Sequence, residues 1–253
     1  CSLVLGDGGA TGSIQHAAPI LLLTTAELQV NRSDSFTLPN PIAGSGSFLQ
    51  AGAGTVTLTA DNSLSGHVIV GRGTLLINGN NLEASTNSVL AGAILGGSGT
   101  LPGGLTVAAG GTVSPGTGIG SFSTGLPGRT STLNGKLLIE YDSSSPAPID
   151  LLQMNGPLTL GAGSTVEFDA LGSPLAGAVH IIASSTALTG TFGSVTDLPP
   201  GYVLARSSAE VYLIESGYQS WIGRAFPGIA DLEVIGPGAD PDQDGLANMT
   251  ESF

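Results

Sequence analysis

Three carboxylates on alternate positions, Asp240, Asp242 and Asp244, precede Gly245, and Glu251 follows after five intervening residues. Hard oxygen donors at this spacing suit Ca²⁺, which takes six to eight oxygens at about 2.3–2.6 Å. Asp240, Asp242 and Asp244 offer side-chain oxygens from one curled loop, and Gly245 permits the sharp turn. Leu246 offers its backbone carbonyl, Asn248 a ligand directly or through water, and Glu251 a bidentate carboxylate. Repulsion among the Asp residues predicts a loop that is loose alone and ordered by a cation. The competing reading is a solvated acidic linker. The chain stops at Phe253, so the helix that leaves such a loop in a helix–loop–helix unit is missing from the sequence.

Other residues offer less. Glu167 and Asp169 lie two apart, on one face of an expected strand, and Glu140 and Asp142 repeat the spacing. Paired carboxylates across a stack of strands are the chemistry of a polysaccharide hydrolase or lyase, which needs an acid and a base beside the sugar. The alternative is that they are outward charges that keep a long sheet soluble and discourage edge pairing. The second is favoured, because the cations Arg32, Arg72, Arg129, Lys136, Arg206 and Arg224 are few and scattered. His16, His67 and His180 share no metal-ligand spacing. No Gly-x-Ser-x-Gly elbow occurs, and the Gly-rich turns lead into strands without a following Gly-Lys-Ser/Thr.

The elements that position these groups are short strands. Residues 48–78 read FLQAGAGTVTLTADNSLSGHVIVGRGTLLIN, with alternating runs at Thr55–Thr59, His67–Val70 and Thr74–Asn78 and a polar corner at Asp61-Asn62-Ser63. Alternation over four to six residues between Gly and Asn marks strands with one buried face. None is long enough to bury itself alone, so the unit must stack on copies of itself. Glycine-led turns recur from Gly44, Gly52, Gly71, Gly97, Gly110 and Gly161 at irregular spacing, where Gly is expected to supply positive φ. Upstream, Phe36, Leu38, Ile42, Phe48 and Leu49 are expected inside, and Asn31–Ser35 forms a corner.

Composition narrows the partners. The 253 residues include 40 Gly and 15 Pro, with only 10% charged side chains, against roughly 25% in an ordinary domain. Apolar content is ample for a core. A net charge of −13 argues against nucleic acid and against an anionic membrane surface. No apolar run approaches a membrane span of 18 or so residues; Pro19–Thr25 comes nearest. A single cysteine, Cys1, excludes a disulfide framework. Cys1 fits either a lipidated first residue or a start inside a repeat, and strand-like Ser2–Gly6 favours the latter. The chain is expected to be a piece of a longer secreted protein.

The stretch LQVNRSDSFTLPNPIAGSGSFLQAGAGTVTLTADNSLSGHVIVGRGTLLING resembles the autotransporter-associated β-strand repeat of bacterial surface and secreted proteins. The continuation AILGGSGTLPGGLTVAAGGTVSPGTGIGSFST, with its turn at Ser114–Gly116, is similar to the segment that follows such repeats. The resemblance covers about residues 1–125 and continues weakly to Ile214. It implies an all-β, right-handed parallel β-helix, or β-solenoid, from an extracellular passenger, and it carries no catalytic motif. Segment 240–251 resembles the thrombospondin type 3 and dockerin kind of calcium repeat.

The expected organisation is a β-helix repeat region over 1–125, final coils with a β-rich cap over 126–216, and a tail over 217–253. In the tail, Tyr218, Trp221, Ile222 and Phe226 fit one face of a short helix with Ser216 as N-cap, ahead of the calcium-type loop. The expected role is a non-enzymatic structural or adhesive stalk, outside the cell or on the bacterial surface. Surface glycans or other surface proteins are the expected partners, and no pattern sets an oligomeric state. The alternative is a polysaccharide-binding or polysaccharide-degrading β-helix protein.

Overall fold

The computed structural model describes residues 1–217 apart from 15, 17, 84 and 178. The chain winds through successive coils. The first holds β1 (Ser2–Leu5) and β2 (Ile20–Leu22); then come β3 (Glu27–Val30), β4 (Ser35–Leu38) and β5 (Ile42–Gly44). The next coils hold β6 (Ser47–Gln50), β7 (Thr55–Leu58) and β8 (Ser63–Leu64), then β9 (His67–Val70) and β10 (Gly73–Ile77). They continue with β11 (Ser85–Val89), β12 (Ala93–Gly97) and β13 (Thr100–Leu101), then β14 (Gly103–Val107), β15 (Thr112–Pro115) and β16 (Ser121–Thr124). Longer coils follow: β17 (Ser131–Leu133), β18 (Lys136–Tyr141) and β19 (Leu151–Met154), then β20 (Leu158–Leu160), β21 (Thr165–Ala170) and β22 (Val179–Ser184). The last strands are β23 (Leu188–Gly190), β24 (Ser194–Thr196), β25 (Tyr202–Arg206) and β26 (Glu210–Glu215).

Parallel pairing between coils builds three faces. The first runs β1-β3-β6-β9-β11-β14-β17-β20-β23 and the second β4-β7-β10-β12-β15-β18-β21-β24. The third consists of β2-β5-β8 and of β13-β16-β19-β22-β26-β25. Single bridges, Asn62 to Asn81 and Asn80 to Thr100, connect its two parts. At the far end β25 and β26 turn antiparallel, with β26 on β22. This is a parallel β-solenoid. Nine first-face strands at about 4.8 Å spacing give a stack of about 38 Å.

Alternation fills the interior. On the second face Phe36, Val56, Leu75, Leu95, Val113, Leu137, Val166 and Val195 stack in one row. The middle six are at most 1% exposed, whereas Val195, at the end of the row, is 40% exposed. On the first face Leu28, Phe48 and Val68 do the same. Each such side chain stabilises the stack by about 1.5–3 kcal/mol relative to exposure.

Two expectations need correction. Leu49 does not join Phe48 inside: strict alternation turns Leu49 outward and buries Gln50, whose Nε2 donates to the carbonyls of Gly52 (3.0 Å) and Gly54 (3.1 Å). The expected positive φ is found at Gly44, Gly97 and Gly110 but not at Gly52, Gly71 or Gly161, and corner glycines without it are needed for a different reason. Gly52 and Gly66 do not have positive φ; a Cβ there would run into the backbone of Arg32 and Gly46 respectively, one coil below. Close stacking of backbone on backbone is what excludes a side chain.

The irregular spacing of the glycine-led turns has a simple origin. Gly52, Gly71, Gly110 and Gly161 lead from the first to the second face, Gly44 leads into the first, and Gly97 leaves the second. Counted along a single row the repeat is regular, since Leu28, Phe48, Val68, Asn87 and Leu105 follow at 20, 20, 19 and 18 residues.

Of the expected tail helix only Ser216 and Gly217 are described, both helical. Tyr218, Trp221, Ile222, Phe226 and the whole loop 240–251 lie outside the described residues.

Candidate functional site

The carboxylates singled out by spacing are sorted by the second face. Leu137, Ile139 and Tyr141 of β18 and Val166 and Phe168 of β21 take the inside, so Glu140, Glu167 and Asp169 face out. Register sets Glu140 directly beside Asp169 and Leu138 beside Glu167. Partial burial, and secondarily the negative charge of Asp169, raise the pKa of the Glu140 carboxyl above its ordinary value. Glu167 receives Lys136 Nζ at 2.6 Å.

The repeat of the spacing at Glu140 and Asp142 does not make a pair. β18 ends at Tyr141, and Asp142 bends into the following turn. There Asp142 Oδ1 accepts the backbone N–H of Ser144 (2.9 Å), the Ser144 hydroxyl (2.7 Å) and the backbone N–H of Ser173 (2.9 Å). These donors, Ser144 above all, hold the Asp142 carboxyl below its ordinary pKa. The pair across the strands is thus Glu140 with Asp169, on an outward sheet face. A cavity of about 170 Å³ lies elsewhere, near the antiparallel end, lined by Phe192, Val195, Leu204, Val211 and Arg206 among others and by no carboxylate. The Glu140–Asp169 pair and this cavity are therefore not in the same place.

The corner between the second and third faces carries polar residues pointing inward. Asn40, Asn62 and Asn81 are 2–5% exposed. Asn62 Oδ1 accepts the Ile42 N–H one coil below (2.8 Å), and its Nδ2 donates to Ala60 O (3.0 Å). Asn81 Oδ1 accepts the Leu64 N–H (3.0 Å), while its Nδ2 reaches Leu64 O (2.8 Å) and Glu83 O (2.9 Å). Asn40 Nδ2 donates to His16 O and Ala18 O at 2.6 and 2.8 Å. A carboxamide suits this corner because it is donor and acceptor at once, and buried peptide groups need both. In the longer coils the matching corner, just before β19, holds Asp150, which is fully buried.

Hydroxyls line the outer faces. Thr106, Thr132, Thr159 and Thr189 stack on the first face, the last two 3.0 Å apart at Oγ1. On the second face Ser35, Thr55 and Thr74 stack, and Thr165 meets Ser194 at 2.7 Å. The surface presents rows of small hydrogen-bonding groups about 4.8 Å apart. Leu49, Ile69, Leu76, Ile94 and Leu138 interrupt them.

His16, His67 and His180 belong to different coils. His16 and His67 are exposed; half-buried His180 lies with its ring centroid 5.8 Å from that of Tyr202, and burial lowers its pKa. Among the described residues no three His, Cys, Asp or Glu side chains come together to hold a metal. The calcium-type residues Asp240, Asp242, Asp244, Leu246, Asn248 and Glu251 are outside the described part. Nor does any helix among the described residues have the length and apolarity to cross a membrane.

No protein-family model matches the chain. Over 113 residues, 44% of the chain, it is 33% identical to the adhesin BmaC autotransporter of Brucella suis biovar 1 (strain 1330). Those residues amount to 3% of that protein's length, so the chain spans a small fraction of this relative. The similarity is distant, and with the stack of parallel strands it relates the chain to an autotransporter adhesin passenger.

Proposed function

We propose that this chain is a segment of a non-enzymatic, extracellular passenger or stalk that a bacterium displays or releases for adhesion. The observation that carries this reading is the stack itself: successive parallel coils whose outer faces carry rows of Ser and Thr hydroxyls. Such faces offer repeated hydrogen-bonding groups to glycans or to other surface proteins, and the named adhesive role of the Brucella relative supports the same direction. A net charge of −13 disfavours nucleic acid as the partner.

The test is a panel of surface glycans and polysaccharides presented to the purified chain, with both binding and product release followed. Saturable binding without new reducing ends supports the adhesive reading. Product release that disappears in Glu167→Ala or Asp169→Ala would replace it with a polysaccharide-degrading enzyme.

Ca²⁺ is a further part of the proposal, resting on the ligand spacing from Asp240 to Glu251 alone. Calorimetry on the full chain is expected to show Ca²⁺ binding that Asp242→Ala weakens at least tenfold. No heat with the unaltered chain would leave the segment a linker.

A further inference from the structure

Asp150 is a carboxylate where the corresponding corners of earlier coils hold carboxamides. Its Oδ1 accepts the Gly120 N–H at 2.7 Å and its Oδ2 accepts the Glu140 N–H at 2.9 Å. Gly120 belongs to the coil below and Glu140 to the end of β18, while the Asp150 N–H returns to Glu140 O at 3.0 Å. Asp150 therefore ties the base of the excursion 142–149 to the stack. A carboxamide satisfies only one of two converging N–H donors, whereas two carboxyl oxygens satisfy both.

The side chain is fully buried, in predominantly negative company. The ionisable groups on the flanking elements are Glu140 and Tyr141 of β18, Asp142 in the excursion, Glu167 and Asp169 of β21 and His180 of β22. Lys136 is occupied by Glu167, and β16 and β19 hold no ionisable side chain. Burial, reinforced by Glu140, outweighs the two N–H donors and pushes the carboxyl up to about 7.

We propose that Asp150 is a proton-operated clasp, which holds the 142–149 excursion against the stack when protonated and loosens it when ionised. The protonated group keeps a carbonyl oxygen for one N–H and a hydroxyl lone pair for the other. Once ionised, it gains hydration by swinging out, and the excursion opens with it. The direction follows from linkage. The closed form binds the proton more tightly than the open form, whose carboxyl has an ordinary value of about 3.9. Closure is therefore strongest below that value and is lost as pH rises through about 7.

Amide exchange of the full chain between pH 5 and 8, corrected for intrinsic rates, tests this. The opening equilibrium at Gly120 and Glu140 is expected to rise about 50-fold from pH 5 to 7 and to level off towards pH 8, at up to about 100-fold in all. Ile42 and Leu64, bonded to Asn62 and Asn81, serve as internal controls and are expected to stay flat. Asp150→Asn is expected to abolish the dependence. Should that variant fold poorly, Glu140→Gln removes the negative neighbour and is expected to move the midpoint to lower pH. Gly120 and Glu140 amides that track the controls, or a midpoint below pH 5, would overturn the proposal.

Discussion

Residues 27–107 and residues 108–190 are the same kind of coil built to two specifications. In the first region a row advances by 18 to 20 residues per coil, as from Phe48 to Val68. In the second it advances by 26, 27 and 30, from Val107 to Leu133, Leu160 and Gly190. The short coils leave almost no loop: Gly52 and Gly66 lie directly on backbone below, and Asn62 and Asn81 satisfy the corner peptides from inside. The long coils place their extra residues in excursions such as 142–149, whose base needs two N–H acceptors and has Asp150. A tight repeat can be closed by carboxamides, whereas an excursion brings extra backbone donors to one point, and there two carboxyl oxygens do what one amide oxygen does not.

The largest expected effect tests whether the two regions are one cooperative body. Phe48 and Phe122 are both fully buried, one in each region. Either Phe→Ala change is expected to cost about 3–5 kcal/mol. Because each coil touches only its neighbours, amide exchange is expected to rise mainly in coils adjoining the substituted one. A uniform rise from β1 to β24 would erase the distinction between regions.

Next come the glycines. Gly66→Ala drives a Cβ into the Gly46 carbonyl, while Gly163→Ala meets nothing closer than Asn134 O at 4.0 Å. The first is expected to cost about 2–3 kcal/mol in urea unfolding and the second to stay within about 0.5 kcal/mol. Equal effects would mean the short coils can spread apart, and the close-stacking account would fail.

The third effect is at the corner. Asn81→Ala leaves the buried Leu64 N–H without its acceptor, an expected loss of about 1–3 kcal/mol. Asn81→Asp is expected to be as damaging at neutral pH and milder in acid, because Leu64 O and Glu83 O receive donors that a carboxylate lacks. A stable, pH-indifferent Asn81→Asp protein would break the contrast between amide and carboxylate corners.

How far the sequence shows this division depends on what each residue reveals alone. Alternation at Thr55–Leu58 and His67–Val70 is visible because inside and outside differ in polarity. The same rule fails at Phe48-Leu49-Gln50, where a glutamine occupies the core and a leucine the surface; polarity misassigns both. Asn40, Asn62 and Asn81 are separated by 22 and 19 residues, nearly one coil, and that periodicity is the signal by which the ladder could have been found. Nothing local distinguishes Asp150 from any loop aspartate, since its role depends on Gly120, a coil away. The Glu140–Asp169 neighbourhood is likewise set by register, while Glu140 and Asp142 share a spacing but not a face.

The smallest expected effect concerns the Lys136–Glu167 pair. At 37% and 34% side-chain exposure the two partners are well hydrated, and an ion pair of that kind contributes about 0–1 kcal/mol. Yet Lys136 is the cation on a face that also carries Glu140, Glu167 and Asp169. Lys136→Ala removes an attraction and also leaves three negative side chains on adjacent strands. The loss is expected near the upper end of that range in about 10 mM salt, where the Debye length is about 30 Å, and close to zero in 1 M salt, where it is about 3 Å. Unfolding by urea, which is uncharged, reads both conditions. A loss that does not shrink with salt would mean the Lys136 methylenes are packing on the sheet, and the charge pattern of the long coils would then contribute little to their stability.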